Sequence, residues 1–397
     1  MAVTIITTPK DYAPIYNEMV FTASSTNSGN TNFGYLVDIY INGSVTKAAR
    51  LRIPPDTNGY CTVDIHRVLE ATLTYDLFDI TNTAGSVDCD NMSLDYVVKF
   101  GEEYGTTVVQ YPDLTVDSTR YAINASLGRN EFIDYSDTDY VMGSTTSKFL
   151  TNSPSDLYTS INDFGAMYFN GSGTLPSTVT MVTFDSTMSI IASYKANLVG
   201  TSDIQYIASN PASINLLTLA SGSQPVIDSS VYAYGIYLDT LGSVKSEIKT
   251  FYIRESCKNE LNRLIFLNRL GGFDSFNFYG ASQDMTDVEK KMYKKNPTRI
   301  DGSGNYTYSK ADREKEQYYT KSSDKRKLVS DWITEEESNW LLELIESPVI
   351  YLQEDGELIS IAQIKQTNYV KRKHTTDKLF NIEVEIEFGW DNYRQRG

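Results

Sequence analysis

Five apolar side chains, Phe33, Tyr35, Val37, Ile39 and Ile41, occupy every second position and run straight into Asn42-Gly43. A period of two marks a half-buried strand, and Asn-Gly accepts the positive φ angles of a tight hairpin turn. The chain is thereby committed to β structure early, with residues 48–53 returning as the partner strand before Pro54-Pro55. Residues 94–100 and 106–111 read as a further hairpin. Behind Asp64, a serviceable N-cap, Ile65, Val68 and Leu69 share one face of a short helix. Short strands separated by turns at this spacing predict an immunoglobulin- or fibronectin-like sandwich over residues 1–124.

The next stretch, residues 125–255, is rich in Ser, Thr, Asn, Asp and Gly, yet strands are still legible at 178–184, 188–194, 230–238 and 247–253. Residues 231–238 are apolar on both faces, as a central strand should be, and Asp239-Thr240-Leu241-Gly242 can turn the chain back. We read this as a second β-domain with long polar loops, the kind of loops that make contacts. Composition then shifts. Residues 1–255 hold 13 Lys/Arg against 27 Asp/Glu, whereas residues 256–397 hold 22 against 24, so most of the net charge of −16 lies in the first part.

The last part, residues 256–397, reads as a smaller α+β docking domain. Strands are expected at 263–267 and 275–279 around Gly271-Gly272. Thr334-Glu335-Glu336-Glu337 forms a capping box, ahead of a helix with Trp340, Leu341, Leu344 and Ile345 on one face and Ser347-Pro348 at its end. Strands at 349–352, 360–370 and 379–388 complete a terminal sheet. Between them lies a lysine-rich arm, residues 289–327, with too few apolar residues to pack on a core of its own. Its basic run, 290–295, reads most simply as a solvated helix face. The overall expectation is a mainly β chain: tandem β-sandwiches followed by an α+β domain with an extended arm.

Chemistry is sparse. A net charge of −16 opposes general nucleic-acid binding. No apolar run approaches the ~20 residues that cross a bilayer, so no membrane insertion is expected. The opening residues lack the basic-then-apolar pattern of a secretory signal. Cys61, Cys89 and Cys257, odd in number, are therefore expected as free thiols. There is no phosphate-binding loop, His-Glu-x-x-His or Cys-x-x-Cys. His66 falls on the short helix and His374 in a basic turn after Lys371-Arg372-Lys373. Asp134, Asp137 and Asp139 cluster without the glycine and terminal glutamate of a calcium loop and read as a solvated acidic loop. No catalytic set, metal or cofactor is assigned. The chain has 29 tyrosines. Those at 111, 135, 140, 158 and 206 fall in loops or strand ends, where sheet packing and interface use are both open.

Three segments carry a resemblance: Pro9 through Asn17-Glu18-Met19-Val20-Phe21, leading into Asn32-Phe33-Gly34-Tyr35-Leu36-Val37-Asp38-Ile39-Tyr40; Phe266-Leu267-Asn268-Arg269-Leu270-Gly271-Gly272-Phe273-Asp274-Ser275-Phe276; and the ending, Trp340 to Leu344 and Ser347-Pro348-Val349-Ile350-Tyr351-Leu352, then Glu385-Ile386-Glu387-Phe388 and Tyr393-Arg394-Gln395-Arg396-Gly397. They resemble structural virion proteins of tailed bacteriophages of Bacteroidetes, including crAss-like phages. The resemblance implies a non-enzymatic subunit of a homo-oligomeric ring in the neck or tail, assembled in the host cytoplasm beside other neck and tail proteins. The charge asymmetry nominates Lys290, Lys291, Lys294, Lys295, Lys371, Arg372 and Lys373 for contacts with an acidic neighbour, such as residues 1–255 of another copy. The alternative is a tail-associated adhesin whose 125–255 loops recognise a surface glycan.

Overall fold

The computed structural model describes residues 3–143, 146–173, 175–255, 258–295, 299–307, 309–311, 313–365 and 381–394. The chain divides into two compact units, residues 1–255 with 267–275, and residues 256–266 with 276–397. Both are built mainly of strands, as expected.

Within the first unit there are two cores. The first lies between an antiparallel sheet of Val3–Thr7, Val20–Ser25 and Tyr60–Asp64 and a larger sheet ordered Tyr12–Pro14, Arg120–Ile123, Ser93–Tyr104, Gly34–Ile41, Ala49–Ile53. Phe21 of one sheet meets Phe100 of the other at a ring separation of 5.9 Å, and Ala23, Cys61, Tyr35, Val37, Ile39, Tyr96 and Val98 fill the space between them. The hairpin at Asn42-Gly43 is present, both residues having φ near +60°. One expectation is corrected here. The strand Gly34–Ile41 is buried on both faces, because Leu36 and Asp38 on its second face are buried as well. Asp38 tolerates burial because the neighbouring strand supplies Arg50, whose Nε donates to its carboxylate at 2.6 Å, with Lys47 at 3.3 Å. The short helix begins at His66, and Asp64 accepts from the His66 and Met19 N–H groups.

The second core lies between a sheet ordered Asp156–Thr159, Lys249–Ile253, Ala233–Thr240, Thr178–Phe184, Ile190–Asn197 and a small sheet of Ala166–Asn170, Ile204–Ala208 and Val87–Asp88. Ala233–Thr240 is central, as its two apolar faces require, and stacks Tyr234 on Phe251 at 5.2 Å. Leu241 and Gly242 turn it back with positive φ. Cys61 and Cys89 are buried free thiols, and burial pushes the Cys61 thiol up to about 12. Cys257 lies outside the described residues.

The second unit is built on a seven-stranded sheet ordered Phe273–Phe278, Asn262–Leu267, Ile350–Glu354, Glu357–Ile364, Glu383–Tyr393, Lys315–Val329, Gln283–Lys294, of which Leu267 and residues 273–275 are counted in the first unit. Its apolar face carries Leu264, Phe266, Ile350, Leu352, Leu328, Val384 and Ile386, all buried. Two short helices, Glu335–Trp340 and Leu342–Glu346, bring Trp340 against Phe266 and Phe276, with ring separations of 5.8 and 6.1 Å. The capping box forms as expected: the Glu337 N–H donates to the Thr334 hydroxyl, and the Thr334 N–H donates to the Glu337 carboxylate.

Candidate interaction surface

The lysine-rich arm is where expectation and structure differ most. Residues 290–295 are not a helix face. They end a 12-residue strand, Gln283–Lys294, which pairs antiparallel with the 15-residue strand Lys315–Val329; that strand in turn pairs with Glu383–Tyr393. The result is a three-stranded ribbon. At its base Leu328, Val384 and Ile386 reach the core; towards its tip nearly every residue of Gln283–Lys294 is exposed, on both faces. A helix reading looks for one apolar stripe. Here two polar faces alternate, so the period of two does not show as hydrophobicity.

Residues paired across an antiparallel ladder share a face, so the register sorts the ribbon into two rows. One face carries Asp287, Glu289, Lys291 and Tyr293, opposite Ser323, Lys321, Tyr319 and Glu316, with Asp391 and Tyr393 from the third strand. This face is internally satisfied. Lys325 pairs with Asp287 and Glu385, Lys321 with Asp391 at 2.8 Å, Lys291 with Glu289 at 3.3 Å, and Lys295 with Glu316 at 2.7 Å. The Lys291 ammonium also lies 4.9 Å from the Tyr319 ring centre. Hydrogen bonds from Lys295 and Tyr293 hold the Glu316 carboxyl below its ordinary range, and those from Lys321 and Ser323 do the same for Asp391.

The opposite face carries Thr286, Val288, Lys290, Met292 and Lys294, facing Asp324, Ser322, Thr320, Gln317 and Lys315. Tyr318 drops out of the register in a bulge. Thr286 and Asn392 both donate to Asp324 near the base. Beyond Asp324 the strand rows of this face contain no carboxylate. Among the described residues Lys290 and Lys315 have no ion-pair partner, and Lys294 reaches only Glu314, at 3.6 Å, beyond the end of the row. Val288 and Met292 are 52% and 61% exposed.

The four nominated lysines are thus brought onto one ribbon but divided between its faces: Lys290 and Lys294 on one, Lys291 and Lys295 on the other. Lys371, Arg372, Lys373 and His374 lie outside the described residues. Val288, Met292 and Lys315 were not nominated from sequence; the signal available was the alternation of Val288, Lys290 and Met292. Of the tyrosines left open, Tyr135 and Tyr206 are buried, so their role is packing. Tyr135 donates to the Tyr12 carbonyl at 2.9 Å, and the Tyr206 hydroxyl accepts from Asp79 N–H at 3.0 Å. Tyr111 and Tyr158 are exposed. Asp137 in the acidic loop accepts from the Tyr12 N–H at 3.2 Å. Among the described residues no helix is long and apolar enough to cross a membrane. No protein-family model matches the chain, and no curated protein matches it.

Proposed function

We propose that the chain is a non-catalytic structural subunit of a multi-copy assembly, of the type that forms rings in the neck or tail of a tailed-bacteriophage virion, where it contacts copies of itself and neighbouring virion proteins. The observation that carries this reading is the ribbon. Among the described residues its tip has side chains on two faces and no core under either, so folding of the isolated unit gains little from building it. A contact made elsewhere gives such an element its use. The segments that resemble phage virion proteins include parts of the same sheet, at 266–267, 273–276, 385–388 and 393. The test is the mass of the purified chain by light scattering, together with negative-stain imaging. A single oligomeric mass with rotational symmetry supports the reading; a monomer throughout a concentration series rejects it.

A second reading, a glycan-binding adhesin, draws on an exposed tyrosine row in the first unit. Tyr158 and Tyr232 flank Tyr252 at ring separations of 5.9 and 6.0 Å, and both flanking rings are about half exposed. Such rings can stack on sugar faces. Binding on a glycan array that is lost on Tyr158→Ala and Tyr232→Ala selects this reading; an array without hits rejects it.

A further inference from the structure

We propose that the face of the ribbon bearing Val288, Lys290, Met292, Lys294 and Lys315 is the seat for a second copy of this chain, docking the acidic residues 1–255 unit of that copy. The inference rests on the assembly reading above and names the contact within it.

The two faces differ in what they still need. On the Lys291 face each cation already has a carboxylate in its own ribbon. A partner binding there would exchange one exposed ion pair for another, for little gain. On the Lys290 face the cations have no carboxylate within their rows, and two exposed apolar side chains lie between them. Positive groups around a small apolar centre fit an acidic protein surface, with Met292 adapting to its shape.

This chain supplies such a surface. Residues 289–327 hold 12 Lys/Arg against 6 Asp/Glu, a net of +6, and residues 1–255 hold 13 against 27, a net of −14. In the first unit Asp76, Asp79, Asp88 and Asp90 have no cation partner among the described residues. Asn91 binds Asp76, Thr81 binds Asp79, the Thr201 and Ser202 N–H groups bind Asp88, and the Ser202 hydroxyl binds Asp90. Hydrogen bonds from neutral donors hold these carboxylates in place and leave their charge unneutralised. Seat and counter-surface are different patches, so the contact is head-to-tail, the kind that closes a ring when the rotation permits.

The test is sedimentation velocity on the full chain and two charge-matched variants, with circular dichroism to confirm folding. Lys290→Glu with Lys294→Glu and Lys315→Glu reverses the proposed seat. Lys291→Glu with Lys295→Glu and Lys321→Glu makes the same change in net charge on the other face. The seat variant is expected to weaken self-association at least tenfold, and the comparison variant less than threefold. A third variant, Asp76→Lys with Asp79→Lys and Asp90→Lys, should also fail to associate alone, but should associate when mixed with the seat variant. Equal loss from both faces would mean that net charge alone acts and would overturn the proposal, as would failure of the mixture. A wild-type oligomer untouched by the seat variant defeats this inference alone; a wild-type monomer defeats the assembly reading and the inference with it.

Discussion

The strand Lys315–Val329 passes through two environments. Near its C-terminal end Leu328 is fully buried, beside Val384 and Ile386. Near its N-terminal end Lys315, Gln317 and Tyr318 are exposed. Hydrogen-bond pairing runs through both ends, so pairing is not what separates them. The base is held by apolar burial, at about 25 cal/mol per Å²; the tip is held by ladder bonds, tyrosine contacts and exposed ion pairs. A sheet can therefore be longer than the core that stabilises it, and the excess length becomes surface with a fixed geometry.

The sharpest way to break this contrast is at the base. Trp340→Ala removes the ring that packs against Phe266 and Phe276 and should cost about 3–5 kcal/mol. Chemical denaturation should then separate into two transitions, with the second unit unfolding first. Excising the tip should do much less. Val288 pairs with Ser322, so residues 288–322 can be replaced by a two-residue Asn-Gly turn joining Asp287 to Ser323. The shortened chain should keep the unfolding midpoint of the second unit close to that of the parent. A loss as large as that of Trp340→Ala would show that the tip is part of the core.

A buried ion pair offers a further comparison with the tip lattice. Asp38 is 2% exposed and bound by Arg50 and Lys47. Burial alone would raise its carboxyl, but the hydrogen bonds from Arg50 and Lys47 outweigh burial and hold it below the ordinary value. Asp38→Asn leaves partly buried donors short of an acceptor and should cost about 1–3 kcal/mol, read as a shift in the first unit's transition. At the helix start, Thr334→Ala removes the acceptor for the Glu337 N–H and should cost about 1 kcal/mol.

Legibility followed burial. Ala233–Thr240 was recognisable because a strand buried on both faces must be apolar on both, and the Trp340 helix because its box and stripe agree. Gly34–Ile41 is half legible: its apolar row shows in the sequence, but Asp38 and Leu36 alternate with it, and nothing local says that Arg50 covers the carboxylate. From sequence the ribbon reads as an arm, because residues 289–327 supply charge and tyrosine in place of apolar periodicity. What orders those residues is register with strands up to about seventy positions away, as in Lys321 with Tyr393. The division of Lys290 and Lys294 from Lys291 and Lys295 follows from parity once the strand is known, and a helical reading scatters them differently.

The smallest expected effect is the most local. If ion pairs contribute to holding the tip, its order should depend on pH in a way that the base does not share. The carboxyls of Asp287, Glu316 and Asp391 lie below their ordinary values, held there first by hydrogen bonds from Lys325, Lys295 and Lys321 respectively. A carboxyl depressed in the folded state adds stability that is complete above its unfolded value, about 4, and that is lost as pH falls through the folded value. Amide exchange of residues 287–293, corrected for intrinsic rates, should therefore lose protection between about pH 5 and about pH 3. Leu328 and Ile386, buried at the base, should keep their protection over the same interval until the unit unfolds as a whole. Raising salt at neutral pH should imitate the acid effect at the tip, because exposed pairs are screened. If tip and base lose protection together, the two ends of the strand form one cooperative unit and the contrast drawn from burial fails.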